Sequence, residues 1–173
     1  SKNIDNRNQS VLADFVYELN ISTNDFLQMF IYPVLESYFF LANKLGLIPE
    51  INAQNLIFEI SLNSLKTRAI IRDVGDCFVD FAIRQSENLH NCFCSYKTLD
   101  PNIHNDIYER RSFEFDFKLS EYVLKPLIKE YSKITNINYS DLFNQVKAHV
   151  REIFPNHSNY FNSKKWYSYP KLN

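Results

Sequence analysis

The sequence predicts an α+β fold that is mostly helical and contains one small antiparallel β-meander at about residues 54–83. Two observations predict it. Apolar residues recur with the 3.6-residue helical period on both sides of a short region in which they alternate with polar residues, as they do in strands. The predicted strands also follow one another directly instead of alternating with helices, which favours an antiparallel sheet. Because 45% of the 173 residues are hydrophobic, the chain can bury one core, and residues 1–173 are predicted to form a single domain.

Residues 1–46 are predicted to be helical. Ser10 is the expected N-cap of a short first helix, and the polar run at residues 22–25 is a second helix start. The second helix keeps its apolar period for about six turns and contains Pro33, which should kink it. Gly46 suits the position after its end, because a residue without Cβ adopts a positive φ without strain.

Residues 47–83 are predicted to hold a polar loop and then the meander. The alternation over residues 56–62 indicates the first strand, and the segments TRAIIRDV and CFVDFAIR indicate two more. The loop between the first two strands is placed at residues 63–65. Gly75 should supply the positive φ of the second turn.

The hydrophobic pattern becomes less regular at the start of the second half of the chain. Residues 84–111 show little periodicity and are predicted to form a long loop. Residues 112–173 are predicted to form helices and a tail. One helix should run from Leu119 to Ile134 with a kink at Pro126, and Ser140 should cap the last long helix.

Composition limits the classes of partner. The net charge is −1, so no basic field exists to attract nucleic acid or an anionic membrane, and we expect neither partner. No apolar run is long enough to span a bilayer. His90, Cys92 and Cys94 could be read as three metal ligands, but one residue between the cysteines is too few for a zinc site. Reduced cysteines in a cytoplasmic protein are the expected interpretation.

A polar loop precedes the first predicted strand, and we call residues 50–55 the motif loop. If Leu62 pairs with Lys66 across the hairpin, then Asn55 lies opposite Asp73 on the same face, with Cβ atoms about 4.5–5.5 Å apart. A carboxamide and a carboxylate so placed suit Mg²⁺. Arg72, on the other face, could hold a carboxylate or phosphate in a bidentate fork. Strand capping and a solvated sheet face would explain the same residues, so these patterns alone predict no reaction.

Two strings, YPVLESYFFLANKLGLIPEINAQNLIFEI and LKTRAIIRDVGDCFVDF, carry a family resemblance. They resemble the C-terminal, palm-like portion of the aerobactin-synthetase-like family, the siderophore synthetases that work independently of nonribosomal peptide synthetases. Those enzymes have a Gly-containing helix end, then Glu-x-His-x-Gln-Asn, a strand, and Arg-Asp at the end of the next strand. The resemblance covers about residues 30–83. The matching residues are Glu50, Asn52, Gln54, Asn55, Arg72 and Asp73.

The resemblance implies an ATP-dependent ligase of siderophore biosynthesis, and hence of iron acquisition, with ATP and Mg²⁺ as cofactors. A carboxylate of citrate or a related acid would attack the α-phosphate of ATP and release pyrophosphate, which gives an acyl adenylate. An amine, hydroxylamine or alcohol would then displace AMP. The resemblance implies catalytic roles for Asn52 and Arg72, and metal contacts from Asn55 and Asp73. The residues implied in nucleotide binding are Glu50, Asn52, Gln54, Asn55 and Asp73.

The sequence departs from the family in two ways. Asn52 stands where the family has histidine, so a side chain that can act as an acid or base is replaced by one that only forms hydrogen bonds. The family's phosphate-binding segment lies upstream in much longer chains, and residues 1–45 do not resemble it. The chain is therefore expected to be a C-terminal piece of a larger synthetase, inactive alone. Its expected partners are the carboxylic acid, the amine or alcohol and the remainder of the synthetase, and a homodimer is compatible with the sequence.

Other functions stay open at this point. A kinase-like phosphotransferase lobe also places an Asn before a strand and an Asp after the next one to hold Mg²⁺. It would need a catalytic Asp shortly before Asn55, where the sequence has Glu50 and Asn52. A non-enzymatic helical interaction module, or a degenerate synthetase domain, would make the motif loop only a polar connection.

Overall fold

The computed structural model describes residues 10–61, 64, 66–90 and 97–162, of which 62% are helical. The predicted class, α+β and mostly helical, is confirmed. The helices are α1 Val11–Leu19, α2 Thr23–Phe26, α3 Tyr32–Phe39, α4 Phe81–Ser86, α5 Ile107–Phe113, α6 Lys125–Thr135, α7 Tyr139–Ile153 and α8 His157–Phe161. Three π-helical segments are π1 Leu27–Ile31, π2 Phe40–Lys44 and π3 Glu114–Leu124. The strands are β1 Leu47–Ile48, β2 Leu56–Ser61, β3 Lys66–Ile71, β4 Phe78–Asp80 and β5 Thr98–Leu99.

Serine side chains start the first two helices, as the sequence predicts. Ser10 Oγ accepts a hydrogen bond from the Ala13 amide at 3.3 Å. Ser22 and Asp25 form a reciprocal capping box, in which each side chain accepts the backbone amide of the other residue. Both caps satisfy amides that the first helical turn leaves without a partner.

The two proline-containing helices widen before their prolines. Helix α2 continues through π1 into α3, which contains Pro33, and α5 continues through π3 into α6, which contains Pro126. Proline has no N–H to donate to the carbonyl four residues back. In both helices the amide of the preceding residue donates to the carbonyl five residues back, which is the π pattern. The prolines are thus accommodated by wider turns.

The consecutive elements α2, π1, α3 and π2 form the first long helix, which ends just before Gly46, as predicted. Gly46 has φ of +60°, and a Cβ built on it would lie 2.8 Å from the Asp80 carbonyl oxygen. Its own carbonyl oxygen accepts the Asp80 amide at 2.8 Å. The position therefore requires glycine both for its backbone angle and for the close approach of β4.

Strands β2 and β3 form an antiparallel hairpin that packs against the first long helix. Phe58 of β2 meets Phe30 of π1 edge to face, with ring centroids 5.4 Å apart. The predicted antiparallel hairpin is confirmed, although its register differs from the prediction.

The register is shifted by one residue. Ser61 pairs with Lys66, so residues 62–65 connect the strands, of which only residue 64 is described. The predicted pairing of Asn55 with Asp73 is therefore wrong. Because side chains alternate between faces, a shift of one residue changes which residues of the two strands share a face.

The third predicted strand does not join the hairpin. Strand β4 instead pairs with β1 in antiparallel orientation and with β5 in parallel orientation, so the three-stranded meander is wrong. The cause lies at Asp73, which takes φ of +58° and leads into a single 3₁₀ turn at Val74–Asp76. Among the described glycines only Gly46 has a positive φ, so Gly75 does not make the turn that was predicted for it.

The second half is more helical than predicted. Residues 84–111 are not a loop throughout, because their described part contains the end of α4, strand β5 and the start of α5. The helix predicted to begin at Leu119 begins upstream, at Ile107. Asn138 caps α7 by accepting the Ser140 amide at 2.7 Å, so the predicted cap at Ser140 is two residues late.

Aromatic side chains fill the core between the first long helix and the C-terminal helices. Phe39 has ring centroids of Phe115 and Phe154 at 5.3 and 4.8 Å, and Phe26 stacks on Tyr131 at 4.0 Å. The aromatic stripe of the first long helix is thus core. Within the described residues, no helix combines the length and the apolar content that crossing a membrane requires.

Candidate functional site

The motif loop is a hydrogen-bonded turn built by its own side chains. Asn52 Oδ1 accepts the amides of Gln54 at 2.9 Å and Asn55 at 3.1 Å. Asn55 Nδ2 donates to the Glu50 carbonyl oxygen at 3.2 Å. Asparagine side chains commonly hold turns in this way. The carboxamides of residues 52 and 55 therefore fix the shape of the loop.

This turn constrains what Asn52 can do. Its Oδ1 is used by two backbone amides, so only Nδ2 is left to donate to a ligand. A neutral imidazole has one acceptor nitrogen and could not accept both amides. The catalytic role predicted for Asn52 stays a prediction.

The open end of the hairpin brings Asn55 and Arg72 together. The Arg72 amide donates to the Asn55 carbonyl oxygen at 2.8 Å, which continues the ladder one step beyond Leu56 and Ile71. Arg72 and Asp73 are exposed, and neither side chain forms an ion pair within the described residues. The Arg72 guanidinium is therefore available for an anionic ligand.

The metal site predicted at Asn55 and Asp73 is not preassembled. The pairing on which it depends is not formed. Among the residues described, no three His, Cys, Asp or Glu side chains gather as a metal site would require. Mg²⁺ demands a near-octahedral set of oxygens, which one carboxylate in an exposed turn does not provide. These residues do not fit Mg²⁺ by themselves.

Glu50 pairs with two lysines from distant parts of the chain. Lys118 Nζ, in π3, lies 2.7 Å from Glu50 Oε1, and Lys97 Nζ, next to β5, lies 3.6 Å from Oε2. Lys97 Nζ is also 3.4 Å from Asp76 Oδ1. The hydrogen bond between Lys118 and Glu50 lowers the pKa of Glu50 and raises the pKa of Lys118. Both groups are therefore charged at neutral pH.

Glu114 lies four residues before Lys118 on the same helix and interacts electrostatically with this ion pair. It is only 6% exposed, and its Oε2 has no hydrogen-bond partner among the described residues. Burial and then the negative charge of Glu50 raise the pKa of Glu114 to about 7, against the opposing charges of Lys118 and Lys97. We call these interacting groups the charged cluster: Glu50, Asp76, Lys97, Glu114 and Lys118.

Sequence reasoning found only Glu50 of the charged cluster. Glu114 and Lys118 have a spacing of four residues, which could have marked them as an acid and a base on one helix face. Asp76 and Lys97 are brought in by the sheet of β1, β4 and β5, and the parallel pairing of β4 with β5 has no local sequence signature.

A second charged pair that sequence reasoning missed is buried. Asp80 Oδ2 lies 2.7 Å from Arg111 Nε and 2.6 Å from Nη2, and Asp80 Oδ1 caps α4 by accepting the Ile83 amide. Arg111 also donates to the Tyr160 carbonyl oxygen and lies over the Tyr160 ring. Because every member has its partners inside the fold, this pair holds β4, α5 and α8 together.

Cys92 and Cys94 lie outside the described residues, as does their predicted relation to His90.

No protein-family model, curated protein or solved structure matches this chain. The resemblance to the aerobactin-synthetase-like family therefore depends on the motif residues themselves.

Proposed function

We propose that this chain is part of an ATP-dependent siderophore synthetase. The enzyme would join citrate or a related carboxylic acid to an amine, hydroxylamine or alcohol through an acyl adenylate. One observation carries the proposal: Asn55 and Arg72, which match the family motif in order and spacing, lie opposite each other at the open end of the hairpin.

The chemistry of this end suits an anionic substrate. A guanidinium binds a carboxylate or phosphate through two parallel hydrogen bonds and stays charged throughout a reaction. Arg72 would thus orient the carboxylate of the acid or an oxygen of the nucleotide while negative charge develops. The proposal requires ATP and Mg²⁺, and the metal would arrive on the triphosphate, since the hairpin end does not hold it. The cytoplasm is the proposed location.

The activity is proposed for the larger enzyme and not for this chain alone. The family resemblance puts the phosphate-binding segment in a different part of the synthetase. Each charge-assisted hydrogen bond that is missing weakens nucleotide binding by roughly 1.5–3 kcal/mol. Residues 1–173 by themselves should therefore bind ATP weakly.

Citrate-dependent exchange of pyrophosphate into ATP tests the proposal, because it reports adenylation without any nucleophile. In the synthetase that contains this chain, Arg72→Gln should lower the exchange rate at least about tenfold, which corresponds to one lost charge-assisted bond. Arg68→Gln is the matched control, since Arg68 is exposed on the same strand and pairs with Glu59 at 2.6 Å. Equal exchange rates in both variants would show that Arg72 is not part of the adenylation site.

A second candidate is a degenerate synthetase domain that retains the fold without the chemistry. The use of Asn52 Oδ1 as a turn-forming acceptor favours it. The same assay separates the two, because a degenerate domain gives no exchange with citrate or with any related acid.

A further inference from the structure

Apart from Glu50, which the family resemblance implies in nucleotide binding, the charged cluster is not used by the proposed adenylation site. Its two ammonium groups already have carboxylate partners: Lys118 is held by Glu50, and Lys97 lies between Glu50 and Asp76. A phosphate or carboxylate ligand would have to displace these partners. The cluster is therefore poorly suited to an anion.

The unmatched group in the cluster is the carboxyl of Glu114. It is nearly fully buried, and within the part of the chain that the structure describes Oε2 makes no hydrogen bond. A buried acceptor without a donor is destabilising, and more so when it is charged. A positively charged donor would satisfy Oε2 best.

A small ligand can approach the cluster from solvent. The side chains of Glu50, Lys97 and Lys118 are 19%, 24% and 27% exposed, and that of Asp76 is 45% exposed. The cluster thus extends from the surface at Asp76 to the buried carboxyl of Glu114.

We propose that the charged cluster binds the primary ammonium group of a small ligand, and that the ionised carboxylate of Glu114 accepts a hydrogen bond from it. Both groups keep their charges in the complex, because the ammonium has the higher pKa and holds its proton. The proposal does not depend on the synthetase activity.

Binding should strengthen as pH rises through about 7, where Glu114 ionises. The groups that interact electrostatically with Glu114 are Glu50 from the motif loop, Lys97 from beside β5, Lys118 from its own helix and Tyr38 from α3. Burial raises the pKa of Tyr38, so it is neutral in this range. Binding should weaken again at high pH. This happens above the ordinary pKa of a primary amine, about 10.4 in lysine, where the ligand loses its charge.

Carboxyl-carbon NMR of the 173-residue chain tests the proposal with three probes: butylammonium, butyltrimethylammonium and butyrate. Butylammonium should move the Glu114 titration to lower pH, because a bound cation favours the carboxylate. Butyltrimethylammonium has the same charge but no N–H, and should bind at least about tenfold more weakly. Butyrate should have no effect. Equal effects of the two cations, or no effect of butylammonium beyond that of sodium chloride at equal ionic strength, would overturn the proposal.

Two substitutions complete the test. Glu114→Gln should weaken butylammonium binding about tenfold or more, because the charged acceptor is lost. Glu121→Gln is the control, since Glu121 lies on the same helix and pairs with Lys125 at the surface. Undiminished binding to Glu114→Gln contradicts the proposal. If that variant does not fold, the three probes on the unaltered chain still decide.

Discussion

Lys118 Nζ lies 2.7 Å from Glu50 Oε1 and so joins π3 to the motif loop across 68 residues of the chain. The motif loop lies within residues 30–83, on which the proposed synthetase function is based, whereas π3 lies outside that range. Both partners also shift the pKa of Glu114, which Glu50 raises and Lys118 lowers. The electrostatics of the motif loop are therefore set partly by a helix outside the motif.

Lys118→Met should raise the pKa of Glu114 further above 7. The positive charge of Lys118 opposes the effects of burial and of Glu50, and the substitution removes it while keeping most of the volume. The pKa of Glu50 should rise as well, because its main hydrogen bond is lost. Carboxyl-carbon NMR titration measures both. Lys125→Met, on the same helix, is the control, and an unchanged Glu114 titration in Lys118→Met would contradict the assignment.

The effect of Glu114→Gln on stability should depend on pH. The folded state keeps the Glu114 proton up to about 7, whereas an unperturbed glutamate releases it near 4.5. Between these values the folded state binds more protons, so the free energy of unfolding of the unaltered chain falls as pH rises. Glutamine does not ionise, so the variant lacks this pH dependence of the free energy of unfolding. The stability of Glu114→Gln relative to the unaltered chain should therefore rise by about 2–3 kcal/mol across this window.

Urea unfolding at several pH values from below 4.5 to above 7 measures this difference. The Glu121→Gln variant should show no comparable trend, because Glu121 is exposed. A stability difference for Glu114→Gln that stays constant with pH would show that Glu114 ionises normally.

Gly46→Ala should destabilise the fold by at least about 2 kcal/mol, because alanine is strained at positive φ and its Cβ would press on the Asp80 carbonyl. Gly75→Ala is a matched control. Gly75 is not at positive φ, and a Cβ there would meet nothing within 4 Å. That variant should change stability by less than about 1 kcal/mol. Similar losses in thermal unfolding of both variants would contradict the role of Gly46.

Arg111→Met should lower the free energy of unfolding by about 3–5 kcal/mol, because it leaves the Asp80 carboxylate buried without its partner. The neighbouring Arg110 offers the comparison. It pairs with Asp106 at 2.8 Å where both side chains are well exposed, so Arg110→Met should cost less than about 1 kcal/mol. Urea unfolding of the two variants checks the difference, and equal costs would show that burial does not set the strength of the Asp80 pair.

Asn52→Asp should leave stability nearly unchanged, because a carboxylate oxygen can accept both amides of the motif loop. Asn52→His should cost about 1 kcal/mol, the usual value of one lost hydrogen bond, since imidazole accepts only one. Thermal unfolding compares them. A histidine variant as stable as the unaltered chain would mean that the turn does not depend on the carboxamide.

Local features were predictable from the sequence by itself. The caps at Ser10 and Ser22, the helix end at Gly46 and the hairpin of β2 and β3 all agree with the structure. Each depends on residues a few positions apart, so the pattern that forms it is present in the string of residues. The motif of the candidate site was visible for the same reason.

The tertiary structure decided how these pieces pair. Residues 69–71 of β3 are three consecutive apolar residues, so either face of that strand could meet the core, and the pattern could not choose between registers one residue apart. The chain then turns at Asp73, which has a positive φ, and β4 pairs with β1 and β5 and not with the hairpin. The charged cluster has the same origin, since Glu50, Lys97 and Lys118 are far apart in sequence. Because the pKa of Glu114 is set by burial in the packed core and by charges from other elements, only the folded chain determines it.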